Sequence, residues 1–161
     1  MQELVITRDG FERLNEELER LRGEGRRRVA DRLRRATTTE ANLAQNMEYL
    51  DAREEKIRLE RRIGLLRERL RSARIVTPRP GNGRVDLGER VRVREVSSGQ
   101  SLELELVGQL EGDLGAGRVS VASPLGQALV GLRKGQIAQV EAPRGRIAFQ
   151  VLAVELPVRA A

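Results

Sequence analysis

The chain has 161 residues and neither cysteine nor histidine, which excludes disulfides, Cys/His zinc sites and every His-based catalytic dyad or triad. Charged residues make up 34% and aromatics 2%, a mix that favours long solvated helices over a large aromatic core. The net charge of +6 points to an anionic partner, but Lys56 and Lys134 are the two lysines among 30 basic residues, and a GC-rich genome gives such an arginine bias without selection for binding.

Thr7-Arg8-Asp9-Gly10 reads as a helix start, with Thr7 as N-cap and an acid soon after. Phe11, Leu14, Leu18 and Leu21 then follow at three- and four-residue spacing, the seam of a two-helix coiled coil. The phase slips through Gly25, Val29, Leu33 and Ala36, a stutter that locally unwinds the supercoil. Three threonines, Thr37 to Thr39, make poor helix interior because each loses χ1 freedom and each hydroxyl competes for backbone bonds. The helix is therefore expected to break there. Ala52, Lys56, Leu59, Ile63, Leu66, Leu70 and Ala73 resume the spacing. Helices over 8–36 and 47–75 would each span roughly 45 Å and pack antiparallel, with residues 37–47 at the tip.

Thr77-Pro78-Arg79-Pro80-Gly81-Asn82-Gly83 ends the pattern and predicts a linker over 77–83. The period then changes to two, in Val91–Arg94, Leu102–Leu106, Val119–Val121, Ile137–Val140 and Phe149–Val154, as in half-buried strands. Ser123 before Pro124 predicts one short helix to Val130, with serine as N-cap and proline at the first helical position. The fold class is α+β: an antiparallel helical hairpin over 1–76, then a small mostly-β domain over 84–161.

These residues resemble the bacterial Gre transcript-cleavage factors along nearly the whole chain. The likeness rests on Thr7, Gly10, Leu14, Glu17-Leu18, Leu21, Asn46-Met47-Glu48-Tyr49 and Ala52-Arg53-Glu54. In the second half it rests on Gly83-Arg84-Val85, Gly88, Ser123-Pro124-Leu125-Gly126-Gln127-Ala128-Leu129-Val130-Gly131, Gly135 and Pro143-Arg144-Gly145. The resemblance implies a C-terminal domain similar to FK506-binding proteins (FKBP-like). It also implies docking at the rim of the RNA polymerase secondary channel through Ser123, Pro124 and Leu125, with the coiled coil reaching down to the active centre. Relatives carry a basic patch that contacts the extruded RNA 3′ end. Here the densest basic run is Arg26, Arg27, Arg28, Arg32, Arg34 and Arg35, which reads equally as a solvated face or as a phosphate-attracting one.

Cleavage-competent relatives read Asp-Leu-x-Glu-Asn-x-Glu-Tyr at the tip, and the first two acids help to hold the second catalytic magnesium. In the same register stand Asn42 and Gln45. An amide keeps the shape and loses the charge that a hard cation needs, and it cannot act as a base. Glu40, two residues before Asn42, reads more simply as solvated, and Glu48 falls where active relatives are acidic too. The expectation is a channel-occupying regulator that hinders nucleotide access without cleaving RNA: not an enzyme, with no metal or cofactor of its own. The alternative is a cleavage or elongation factor with residual activity on backtracked complexes. A third reading, similarity to small Gre-like proteins that bind other targets such as nucleoside diphosphate kinase, is disfavoured by the full-length hairpin. Prolyl-isomerase activity is rejected, because such pockets are lined by aromatics this chain lacks. No apolar run approaches membrane-spanning length and Met1-Gln2-Glu3 is unlike a signal peptide, so the chain is expected to be cytoplasmic, monomeric and without a membrane partner.

Overall fold

A computed structural model describes residues 4–39, 46–77 and 81–156. The chain folds as two compact units, Phe11–Ser72 on the one hand and Met1–Gly10 with Ala73–Ala161 on the other.

The helical unit is a hairpin. Helix α1 (Arg8–Arg20) passes through a π-helical turn (Leu21–Gly25) into α2 (Arg26–Thr39), and α3 (Met47–Ser72) returns. Cross-helix bonds establish the antiparallel sense: as one partner rises through Glu17, Arg32 and Ala36, the other falls through Arg62, Glu55 and Asn46. The seam expected from the leucine spacing is present, with Leu18, Ile63 and Leu66 buried and Leu14, Leu21, Leu59 and Leu70 packed around them. The stutter takes the form of the π-turn, where the Arg26 N–H reaches the carbonyl of Leu21, five residues back. A π-turn inserts one residue and rotates the following apolar stripe back toward its partner, so Val29 and Ala36 are again buried. At Gly25 a Cβ would stand 3.2 Å from Leu59 Cδ1, so the absence of a side chain lets α3 pass close to the turn.

Two expected boundaries are corrected. The threonines do not break the helix: α2 continues to Thr39. Thr37 Oγ1 donates to the Arg34 carbonyl and Thr38 Oγ1 to the Arg35 carbonyl, both at 2.8 Å, so these hydroxyls bond back along the helix instead of competing with it. At the other end α3 stops at Ser72 rather than near 75, and Ala73–Val76 form strand β2. This strand pairs in parallel with β1 (Leu4–Thr7), from Leu4↔Ala73 to Thr7↔Val76. Both strands belong to the β unit, so residues 4–10 and 73–76 lie outside the compact helical unit although they fall within the expected hairpin segment.

In the β unit, β3 (Arg90–Glu95), β4 (Ser101–Val107), β5 (Arg118–Ser120), β6 (Ile137–Ala142) and β7 (Gly145–Glu155) form a sheet of order β5-β4-β3-β7-β6. All pairs are antiparallel except β4 with β5. Period-two alternation puts Val91, Val93, Leu104, Leu106, Val119 and Val151 inside, against Leu129 of the short helix α4 (Pro124–Leu129). Each such burial is worth about 1.5–3 kcal/mol.

The same unit holds the first turn of α1. Thr7 caps it, accepting from the Gly10 N–H at 3.0 Å. Buried Glu111 accepts from the N–H of Thr7 and of Gly108, both at 2.8 Å, and from the Thr7 hydroxyl. A Cβ on Gly108 would collide with the Val5 carbonyl oxygen, and one on Gly10 would overlap the Glu111 carboxylate. Only glycines let the turn after β4 close on β1 and receive the carboxylate. Removing the acceptor strands two buried N–H groups. Glu111→Ala is therefore expected to lower unfolding free energy by about 2–4 kcal/mol, read by chemical denaturation. Glu111→Gln, which keeps part of the acceptor geometry, should lose less.

Candidate functional site

The far end of the hairpin is closed by Asn46. Its side chain is buried, its Nδ2 donates to the Ala36 carbonyl at 2.7 Å, and its Oδ1 accepts from the Tyr49 N–H at 3.0 Å. One amide thus caps the N-terminus of α3 and ties it to the last turns of α2. A carboxylate could cap but not donate, and serine could not reach across, so asparagine alone suits both tasks. Its backbone carbonyl accepts from the Leu50 N–H at 3.1 Å, which begins the helix. The first turn carries Glu48, favourably placed near the positive end of the helix dipole. Glu48 and Met47 are exposed and Tyr49 half-buried. Glu40, Asn42 and Gln45 lie outside the described residues.

The basic run divides by geometry. Arg26 makes a two-pronged pair with Glu60, both bonds 2.8 Å, and Arg32 pairs with Glu55 at 2.7 Å, with Arg28 3.8 Å from the same carboxylate. Arg26 and Arg32 thus stitch α2 to α3. The hydrogen bond from Arg26 holds the Glu60 carboxyl below its ordinary range. These pairs are largely exposed, so each adds little, and more as part of a row than alone. Arg34 pairs with Asp31 one turn back, while Arg27 and Arg35 point Nε at the carbonyls of Gly23 and Asp31, 3.4 Å away. A cleft of about 740 Å³ on the hairpin is lined by Arg28, Arg32, Arg58 and Arg62 over Leu21, Val29 and Leu59, with Asp51 and Glu55 among them.

In the β unit the Ser123 reading holds in detail. Ser123 Oγ accepts from the Gly126 N–H at 3.1 Å and Pro124 opens α4. Pro124 is exposed, and half-buried Leu125 packs on the core. Both line a groove of about 520 Å³. Leu114, Val140, Ala142 and Pro143 also line it, with Arg118 and Glu141 as its charged lining residues. Leu114 is 74% exposed.

Residues 4–75 match the family model described as transcription elongation factor, N-terminal, and residues 80–156 match that for the GreA/GreB C-terminal domain. The chain belongs to the GreA/GreB family of transcription elongation factors. Transcription elongation factor GreA of Syntrophomonas wolfei is 35% identical over 154 residues, covering 95% of this chain and 96% of that one. The protein of the same name from Amoebophilus asiaticus is 37% identical over 147 residues, covering 91% and 93%. The crystal structure of GreA factor homolog 1 (Gfh1) of Thermus thermophilus is 31% identical, covers 96% of this chain and 99% of that one, and superposes with a TM-score of 0.43.

For this Gre-family chain, sequence reasoning placed the Ser123 cap and the hairpin but missed the bonds of Asn46 and Glu111 and the position of Leu114 on the groove. Asn46 had a signal, since an Asn just before a charged apolar-periodic run is a cap pattern. Its bond to Ala36 had none. Asn46→Ala is expected to cost about 1–2 kcal/mol and to fray α3 from Met47. Amide hydrogen exchange should show lost protection at Tyr49 and Leu50, with protection around Ile63 retained.

Proposed function

We propose that this elongation factor binds RNA polymerase, docks through the groove beside Ser123, Pro124 and Leu125, and sends its hairpin down the secondary channel without stimulating RNA cleavage. The supporting observation for the delivery system is that both halves match the two family models in order, over 4–75 and 80–156, with an apolar groove where the resemblance expects docking. For the loss of chemistry the support is the pair Asn42 and Gln45. Neutral amides do not fit magnesium, a hard cation held through carboxylates, phosphates and water, and they provide no base. Occlusion of the channel is steric and needs neither. On this reading the chain is a transcription inhibitor and not an enzyme.

The GreA relatives at 35% and 37% identity favour a second reading, an elongation factor that retains activity on backtracked complexes, with Glu40 supplying a carboxylate. A cleavage assay on stalled complexes beside a single-round transcription assay separates the two. The first reading expects no stimulated cleavage and a reduced rate of nucleotide addition. The double change Asn42→Asp with Gln45→Glu, which restores both acids at constant size, should then confer magnesium-dependent cleavage. Robust cleavage by the unaltered protein, abolished by Glu40→Gln, would establish the second reading instead.

Docking has its own test. Leu114→Asp and Pro124→Ala alter exposed side chains that line the groove, so the fold should persist. Each is expected to weaken polymerase binding by tenfold or more, about 1–3 kcal/mol, in a titration against core polymerase. Unchanged affinity in both variants would remove the groove from the interface.

A further inference from the structure

Helix α3 has a second apolar stripe, on the side away from the hairpin seam. The seam uses Ala52, Leu59, Ile63 and Leu66. Leu50, Ile57 and Leu65 fall on the opposite side at helical spacing, and they are 38%, 52% and 43% exposed. Gly64 lies on this side too, with no heavy atom within 4 Å of where its Cβ would stand. An exposed turn with no side chain is where another backbone can come close. Between the apolar residues stand Glu54 and Arg61. Glu54 makes only an exposed pair with Arg58, and Arg61 has no carboxylate partner among the described residues.

This stripe is complementary to itself. Two copies of α3 laid antiparallel about a two-fold axis between Ile57 and Arg58 bring Leu50 of one against Leu65 of the other, and the reverse. The same axis sets Glu54 of each copy against Arg61 of the other and brings the two Ile57 side chains together at the centre. A two-fold contact repeats every pair twice, so one register satisfies both apolar and charged positions over about 22 Å of helix. We infer that the outer face of α3 is a self-association surface and that its occupant is a second copy of this chain. The apolar area is small, which places the dimer among weak, concentration-dependent associations rather than obligate ones. On the function proposed above the consequence is regulatory: pairing sets the helices of two hairpins side by side, so the hairpin enters a narrow channel only as a monomer.

Sedimentation equilibrium over a wide concentration range tests this on the full chain. The weight-average mass is expected to rise from 18.0 kDa toward double as concentration increases. Ile57→Asp should raise the dissociation constant by about tenfold or more, with helical circular dichroism unchanged because Ile57 is exposed. Glu54→Arg and Arg61→Glu should each weaken the dimer by setting like charges opposite one another, and the two together should restore it. A mass fixed at 18.0 kDa at all concentrations would overturn the inference. So would a dimer indifferent to Ile57→Asp, or charge variants that fail to rescue each other. If the chain stays monomeric while Ile57→Asp weakens polymerase binding, the stripe belongs to the polymerase instead.

Discussion

A two-helix hairpin has too little interior to hold itself together, and the rest of this chain is arranged around that shortage. Each helix can bury one stripe against the other, and here the closed seam comprises Leu18, Val29, Ala36, Ala52, Ile63 and Leu66 with a few half-buried neighbours. A globular helix would have a second and third surface to pack on. The hairpin substitutes closures for core. At its far end Asn46 uses both ends of one amide, on Ala36 and on Tyr49. Along its length Arg26 and Arg32 reach Glu60 and Glu55 across the seam. Where the chain leaves and rejoins the β unit, strands β1 and β2 pair, and Glu111 fixes the first turn of α1 through Thr7.

The π-turn answers the same shortage. Seven-residue and 3.6-residue periods drift apart along a straight helix, and over the length of α1 and α2 the stripe would leave its partner. One inserted residue at Leu21–Gly25 resets it, and Gly25 lets Leu59 fill the space that a side chain would have taken.

What could be read in the sequence follows the range of the interactions involved. Strands β3 to β7 and the Ser123 cap rest on alternation and on contacts within a few residues, so their positions were legible. So was the hairpin, because leucine spacing repeats over many turns. Strand β1 was not: Leu4-Val5-Ile6-Thr7 is a run too short to tell strand from helix, and its partner Ala73–Val76 reads as a continuing helix until the pairing is known. The three threonines misled because propensity counts hydroxyl competition as a loss, whereas near a helix end the same hydroxyls can bond to the carbonyls of Arg34 and Arg35. Glu111 was hidden by distance, 104 residues from the threonine it binds. Leu114 sits in a glycine-rich stretch that reads only as a turn, and its place beside Pro124 and Pro143 on one groove is set by the folding of distant segments.

Shape and chemistry are separable at the hairpin end. Asn46 caps α3 and crosses to α2 with bonds of its own, so exchanging an acid for an amide at 42 or 45 leaves those bonds in place. Glu48 still faces the helix dipole whichever residue stands at 45. The placement of Ala36, Asn46 and Ala52 is accounted for by burial and by the Asn46–Ala36 bond, with no reaction needed to explain it. The choice between the two proposed readings therefore turns on the charge carried at Glu40, Asn42 and Gln45 rather than on the fold.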